Sequence, residues 1–348
     1  MNLRAADAVV RGALGARFTA AVLRVERGGR LVGERAYGRV DEQPQSAPVD
    51  GATRFDLASL TKIFVSTAAL RSAATDALPL DEPLTSQIPE WLATAHAPIT
   101  PRHLLAHTSG MQSGADYREL LGDDVERFSL LRPLVAGVGN GVIYSDLGFI
   151  ALGVALQRSA SRSLASVVRE TCEAVGAAAA FRPPVPERAT IPATEEDGWR
   201  GRLRGVVHDE KAYLMNGVAG HAGLFGTACD VARLTEAYLG HCNGRPHQAL
   251  PAAIAREAVE EAAPDAVLRR GLGWALKTSD ENSCGALMSP QTFGHTGFTG
   301  TCVWADPVRD LSVVFLTNAV YFGRFDLRDV RAAVCDAVVG AADADGRS

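Results

Sequence analysis

Residues 55–64 read FDLASLTKIF, and the stretch changes from strand-like to helical within ten residues. Ser59 falls at the changeover, three positions before Lys62. On a helix, residues i and i+3 share a face about 5–6 Å apart. A serine at the start of such a helix therefore sets its hydroxyl beside the lysine amine. A serine hydroxyl is a poor nucleophile until a neighbouring base activates it. A helix N-terminus also offers unpaired N–H groups and a positive dipole end to a developing oxyanion. A lysine desolvated in a pocket can have its pKa pulled toward neutrality, which a surface lysine cannot. Lysine is scarce: the 35 basic residues are 32 arginines plus Lys62, Lys211 and Lys277. Taken alone, the Ser59–Lys62 pair is equally the exposed start of an ordinary helix.

Two further stretches carry chemistry. VIYSDLGFIALG (142–153) holds Tyr144 and Asp146 two positions apart, so a turn can aim both into one pocket. A tyrosine hydroxyl near a cationic lysine can relay protons. The plainer reading is a half-buried aromatic with a satisfied hydroxyl. FGHTGFTG (293–300) places His295, Thr296 and Gly297 on a late strand. Gly297 lets backbone approach a bound substrate closely, and the next N–H, at Phe298, can serve with that of Ser59 as an oxyanion donor. Here the plainer reading is a glycine-kinked edge strand with a bystander histidine.

The composition limits the partners. With 47% hydrophobic and 22% charged residues, 348 residues hold a sizeable core in one large domain or two ordinary ones. A net charge of −5 argues against a nucleic-acid partner. Six cysteines without a C-x-x-C pair read as reduced thiols in a reducing compartment. The first 25 residues are broken by Arg4, Asp7, Arg11, Arg17 and Arg24, so no signal peptide is visible. No uncharged apolar run is long enough to span a membrane. The expectation is a soluble, cytoplasmic protein with a small-molecule ester or amide substrate and neither a nucleic-acid nor a membrane partner.

The coarse pattern places these motifs. A short helix over 5–16 precedes two strands around Gly28-Gly29, a hairpin signal. Residues 60–75 read as a helix. In ITPRHLLAHTSGM (99–111), Thr100 is an N-cap, Pro101 the first helical residue and Gly110 a stop. LASVVRETCEAVGAAAAF (164–181) is the clearest helix of the middle region, 182–210 reads as connecting loop, and Thr227 and Asp230 cap a helix over 226–240. After residue 270, GLGWALKT, TFGHTGFTG and TCVWADPVRDLSVVFLTN read as strands. A last helix runs over about 324–340, followed by a frayed tail, AADADGRS. Strands open and close the chain and helices fill the middle. That pattern predicts an α/β (α+β) fold: an antiparallel sheet flanked by helices, with an inserted all-helical region. Residues 1–62 and 205–348 make the sheet domain and 63–204 the helical one.

Together, in this order and spacing, Ser-x-x-Lys, Tyr-x-Asp and His-Thr-Gly resemble the serine β-lactamase and penicillin-binding-protein superfamily, nearest its class C-like branch, which includes many carboxylesterases. ITPRHLLAHTSGM, VHDEKAYLMNGVAGHAGLFGTACDVARL (207–234) and VWADPVRDLSVVFLTN (303–318) also fit, and the resemblance covers about residues 18–340. It implies the β-lactamase/transpeptidase-like fold with its site in the cleft between sheet and helical regions. It implies Ser59 as acylated nucleophile, Lys62 and Tyr144 as the general-base pair, and the Ser59 and Phe298 amides as oxyanion hole. Asp146 then holds a position usually occupied by Asn, and His295 one where many relatives have Lys.

Those two departures narrow the substrate. An ionised Asp146 cannot donate to a substrate amide carbonyl. It would also stabilise the Lys62 ammonium, weakening that base and shifting weight to Tyr144. His295 is mostly neutral at pH 7, so it lacks the fixed charge that a β-lactam or D-alanyl-D-alanine carboxylate would meet. The expectation is hydrolysis of small carboxylic esters through acyl-Ser59. A β-lactamase or D-alanyl-D-alanine carboxypeptidase, a biosynthetic acyltransferase and a non-enzymatic acylated sensor stay open. Thr296, Gly297 and His221 are candidate substrate contacts, although His221 is equally a structural loop histidine.

No cofactor or metal is expected. His103 and His107 lie four apart without an H-E-x-x-H pattern. HCNGRPH (241–247) reads as a polar turn, GVGNGV (137–142) lacks a dinucleotide or phosphate-loop context, and no G-x-S-x-G occurs. Asp280 and Glu281 read as a solvated loop.

Overall fold

The structure, a computed structural model, describes residues 1–113, 124–265, 267, 269–279 and 282–345; Asp280, Glu281 and the last three residues of the expected tail lie outside these. Helix α1 (Arg4–Ala13) leads into a hairpin of β1 (Ala20–Arg27) and β2 (Arg30–Gly38). Gly28 and Gly29 both turn with positive φ, +61° and +69°, as a two-residue hairpin turn matched to strand twist requires. β3 (Phe55–Asp56) and a single helical turn, Ala58–Leu60, feed α2 (Thr61–Ala73). Helices α3 (Pro101–Leu105), α4 (Val125–Leu131), α5 (Asp146–Ala160) and α6 (Leu164–Ala174) follow. Next come β4 (Ala180–Phe181), β5 (Glu196–Asp197), β6 (Gly201–Arg202), α7 (Glu210–Leu214) and β7 (Leu224–Gly226). Helices α8 (Ala228–Cys242) and α9 (Ala252–Val259) lead to β8 (Ala275–Leu276), β9 (Phe293–Thr296), β10 (Cys302–Asp306) and β11 (Leu311–Thr317), and α10 (Arg328–Asp345) closes the chain.

The main sheet has six strands in the order β2-β1-β11-β10-β9-β8, and every adjacent pair is antiparallel. It joins the two ends of the chain: Val22 lies opposite Leu316 and Val25 opposite Val313. Alternate residues serve two cores, because successive side chains of a strand point to opposite faces. Leu23, Val25, Val313 and Phe315 pack with Val10 of α1 and Val334 and Val338 of α10. Val22, Val303, Val314 and Leu316 pack on the other face with Val231 and Leu234 of α8. This second core continues through α2 to Leu147, Leu152 and Val168 of α5 and α6, so one hydrophobic interior joins the sheet to the helical region. A small sheet, β3-β7-β4, stands beside the main one.

Central in that interior lies α2. Every residue from Thr61 to Leu70 is buried, Lys62 included. A helix with no solvent face must be apolar nearly all round or satisfy its polar groups internally. Thr67 does so by donating to the Ile63 carbonyl and meeting Tyr238 Oη at 2.7 Å.

Three expected boundaries move. The helix expected over 164–181 ends at Ala174, because Gly176 takes φ +73° and ends it in the left-handed conformation. Ala180–Phe181 instead pairs with β7. The strand expected over GLGWALKT shrinks to Ala275–Leu276. The last helix starts at Arg328, whose N–H is accepted by the Asp326 carboxylate at 2.9 Å, and runs on to Asp345, where the Met1 ammonium pairs with it at 3.1 Å. The caps at Thr100 and Thr227 form as expected, each as a reciprocal capping box, with His103 and Asp230 as the returning side chains.

Candidate active site

The site begins with a strained turn. Ala58 takes φ +46°, a left-handed conformation that a residue with a Cβ holds only when its surroundings enforce it. Asp56 enforces it. One carboxylate oxygen accepts from the Ala58 N–H at 2.9 Å and the other from the His208 N–H at 2.7 Å. From the other side, Thr299 Oγ1 donates to the Asp56 carbonyl and Thr301 Oγ1 to the Leu57 carbonyl. Asp56 is buried, and burial pushes its carboxyl up to about 6 despite those N–H donors. The turn leaves Ser59 half-buried at the mouth of α2.

Lys62, one turn on, has no solvent exposure. Its Nζ donates to Ser59 Oγ at 3.0 Å and to the His221 carbonyl at 3.1 Å, and it pairs with Asp146 Oδ1 at 2.8 Å. Three acceptors thus surround one ammonium, one for each N–H. Burial pulls the lysine pKa down, but the Asp146 carboxylate and Tyr144 outweigh it and the net direction is up. Burial likewise opposes the ionised Asp146, yet the charges of Lys62, His221 and Lys211 hold it at about 2.

The Asp146 carboxylate is shared. Its Oδ2 pairs with Lys211 Nζ at 3.0 Å; Lys211 also pairs with Asp209 Oδ2 at 3.3 Å, and Asp209 Oδ1 meets His221 Nε2 at 2.7 Å. Because the His221 carbonyl accepts from Lys62, the chain of contacts closes on itself: Lys62, Asp146, Lys211, Asp209, His221 and back. Two lysines stand against two carboxylates. Ligand atoms of Asp146, Asp209 and His221 lie within 4.8 Å of one another, but the two ammonium groups already answer both carboxylates and would repel a cation there.

Tyr144 and Asp146 enter from the start of α5. Ser145 caps that helix, its Oγ accepting from the Gly148 N–H at 2.9 Å, and its own N–H donates to His107 Nδ1 at 3.1 Å. The His107 ring packs 4.7 Å from that of Tyr144. Lys62 Nζ lies 4.9 Å from the Tyr144 ring centre, and the Arg270 guanidinium carbon lies 5.2 Å from it.

β9 closes the cleft. A Cβ on Gly297 would stand 2.7 Å from the Leu57 carbonyl and 3.3 Å from the Ala58 Cβ. Only glycine lets β9 come this close to the Ser59 turn, and the contact brings the segments carrying the Ser59 and Phe298 amides side by side. The Phe298 ring is exposed and stacks 5.6 Å from His208. His295 Nδ1 donates to the Thr296 carbonyl at 2.8 Å. Burial, with the charges of Lys62 and Arg270, presses the His295 imidazolium down to about 3, so the ring is neutral.

The sequence of the chain matches the Beta-lactamase family over residues 6–336. The chain belongs to the beta-lactamase family. It is 30% identical over 354 residues to Esterase EstB of Burkholderia gladioli, covering 88% of each protein. It is 31% identical over 313 residues, 80% of this chain and 71% of the other, to an Escherichia coli K12 protein named provisionally as a D-alanyl-D-alanine carboxypeptidase. The fold is shared with EstCE1, described as a hydrolase with promiscuous acyltransferase activity, at a TM-score of 0.78 and 24% identity over 95% of this chain and 98% of that one. This member of the beta-lactamase family is a serine hydrolase.

The structure brings Ser59, Lys62, Tyr144, Asp146, His295 and the Gly297–Phe298 turn to one place. It sets His221 apart: the side chain is 1% exposed and lies behind Lys62, so it braces the lysine rather than touching substrate. His103 and His107 separate, one capping α3 and the other backing Tyr144. Sequence reasoning missed Asp56, Asp209, Lys211 and Arg270. Lys211 had a signal, as one of three lysines in the chain, and Asp209 stands two positions before it. Arg270 is one arginine among 32, and nothing local singles it out.

Proposed function

We propose that this hydrolase cleaves small carboxylic esters through an acyl-enzyme on Ser59. The observation that carries the reading is the 3.0 Å contact between half-buried Ser59 Oγ and the fully buried Lys62 Nζ. Ser59 Oγ attacks the ester carbonyl and its proton passes to the Lys62–Tyr144 pair. The acceptor is the pair in its once-deprotonated form: with three acceptors holding Lys62 as an ammonium, the vacant proton site is the Tyr144 oxygen, which takes the proton and becomes the phenol while Lys62 supplies charge that stabilises the transfer. The oxyanion forms between the amides of Ser59 and Phe298. Collapse expels the leaving group, protonated from Tyr144, and water then attacks the acyl-Ser59 carbonyl by the same route.

The likeness to EstB supports ester turnover, and the neutral His295 supports it over β-lactam or D-alanyl-D-alanine cleavage, since the strand offers no cation there. Six free cysteines, four of them buried, support a reducing, cytoplasmic setting. No helix among the described residues is long and apolar enough to cross a membrane.

Intact-mass measurement during turnover of 4-nitrophenyl butyrate tests the reading. The native protein gains one butyryl group and Ser59→Ala gains none and loses turnover. Full turnover by Ser59→Ala overturns it, and nitrocefin cleaved faster than the ester favours the β-lactamase alternative.

A further inference from the structure

Helix α10 carries a charge on its inward face. That face is Val330, Val334, Cys335, Val338 and Val339, and among them stands Arg331, 8% exposed. A buried cation is costly unless it is paired or well hydrogen-bonded. Among the described residues no carboxylate forms an ion pair with it: Asp326 pairs with Arg328 and Asp329 with Arg17. Burial lowers its pKa, outweighing the Cys302 thiol, Asp326 and Asp329, which act the other way; a guanidinium stays charged at neutral pH all the same.

What answers Arg331 is backbone. Its Nη2 donates to the Gly297 carbonyl at 2.7 Å and its Nε to the Gly300 carbonyl at 3.1 Å. The guanidinium thus spans the turn that follows β9. The Gly297 carbonyl also accepts from the Gly300 N–H at 3.0 Å, so both of its lone pairs are used. The other side of the turn is tied to the Ser59 segment, through Thr299 to the Asp56 carbonyl and Thr301 to the Leu57 carbonyl.

The Gly297 carbonyl and the Phe298 N–H belong to one peptide unit. Such a unit is planar and trans, so its C=O and N–H point opposite ways. The Phe298 N–H therefore points away from Arg331, and it donates to nothing among the described residues. A cation on the carbonyl draws electron density through the peptide and makes its N–H a stronger donor. The amide of Ser59 is backed differently. The carbonyl of its peptide unit, that of Ala58, accepts from the Thr61 N–H, a neutral donor.

We propose that Arg331 is a positioning residue of the oxyanion hole: from behind the turn it fixes and polarises the Gly297–Phe298 peptide, so that the Phe298 N–H meets the oxyanion as a stronger donor. This role rests on the reading given above, in which acyl-Ser59 forms with the Ser59 and Phe298 amides as oxyanion donors. Arg331 needs no contact with substrate. Its effect grows with the negative charge on the substrate oxygen, so it acts on the transition state more than on the bound ester.

Arg331→Met removes the charge and both hydrogen bonds. On 4-nitrophenyl butyrate, kcat and kcat/KM fall together by about tenfold with KM unchanged, less than the roughly hundredfold cost of losing an oxyanion donor outright. Butyl trifluoromethyl ketone gives the second readout. The Ser59 oxygen adds to its carbonyl carbon, the serine proton passes to Tyr144, and the ketone oxygen becomes an alkoxide in the hole. Its Ki rises by the same factor as kcat/KM falls, while inhibition by N-propylbutyramide, which stays trigonal, is unchanged. A plain tie between α10 and the sheet would shift urea unfolding and leave these ratios alone. Should Arg331→Met not fold, two other variants decide: Arg331→Lys, which keeps a cation, retains rate and ketone affinity better than Arg331→Gln, which keeps only a neutral donor. Native kcat/KM in folded Arg331→Met, a fall in kcat/KM without a matching loss of ketone affinity, or Arg331→Gln equal to Arg331→Lys overturns the proposal. Ser59→Ala separates the two readings. If it abolishes turnover while Arg331→Met keeps native rate and ketone affinity, the nucleophile stands and the role of Arg331 falls.

Discussion

Two polar regions meet at Tyr144, and they are built on opposite rules. Behind Ser59 the closed circuit of Lys62, Asp146, Lys211, Asp209 and His221 pairs each charge with an opposite one. Across the Tyr144 ring, Arg270 Nε, Asn282 Nδ2 and Trp304 Nε1 are buried N–H groups with no hydrogen-bond acceptor among the described residues. A satisfied buried network rigidifies the groups it holds, whereas an unsatisfied one is costly until a ligand completes it.

The circuit also accounts for Asp146. An ionised carboxylate against Lys62 would be one more buried charge to neutralise. Lys211 on α7 does that at 3.0 Å from Asp146 and 3.3 Å from Asp209. The substitution that looked like a defect in the motif is half of a pair whose other half lies 65 residues away, at Lys211.

The contrast can be broken most directly at Lys62. Lys62→Met removes the charge beside Ser59 and lowers kcat by about 10³-fold, within the range for a proton-transfer group; steady-state rates on 4-nitrophenyl butyrate check this, and a loss under tenfold places the chemistry elsewhere. Lys211→Met comes next. It leaves two buried carboxylates facing one lysine and costs about 3–5 kcal/mol in urea unfolding, as loss of one partner of a buried pair does. A cost under about 1 kcal/mol would show a circuit open to water.

On the other side of Tyr144 the expected effect is a pH dependence. An unfolded chain protonates His295 near 6.5, while the folded protein resists until about 3. The neutral ring's contribution to stability is therefore whole above pH 6.5 and is lost as the pH falls toward 3. Between about pH 7 and 4.5, His295→Gln loses roughly 3 kcal/mol less stability than the native protein; parallel unfolding curves at the two pH values check it, and equal losses contradict a buried neutral ring. The smallest effect sharpens the role of Asp146. Asp146→Asn removes a carboxylate beside the Lys62–Tyr144 pair, so the pair gives up its proton more easily and the rising limb of kcat/KM moves to lower pH by about one unit. A pH–rate profile that does not move assigns Asp146 to stability alone.

Much of the site was legible because its pieces are local. Ser59 and Lys62 are one helical turn apart, Thr227 and Asp230 cap their own helix, and Gly28-Gly29 turns its own hairpin. Spacing in the chain fixes distance in space when both residues belong to one element. The helix over 164–181 was misread because alanines past Gly176 suit a helix, while pairing with β7 decided their conformation. Asp56 sits three residues before Ser59, yet its role depends on an N–H from His208, which no local pattern announces.

By itself, then, the order of residues determined the elements, the nucleophile with its lysine, and the two positions, 146 and 295, at which the motifs are unusual. What those unusual residues mean was decided by the fold. Whether a buried charge is answered depends on side chains brought in from distant segments, Lys211 to Asp146 and Arg270 to Tyr144. Coulomb energy in a low-dielectric interior falls with distance through space and takes no account of separation along the chain.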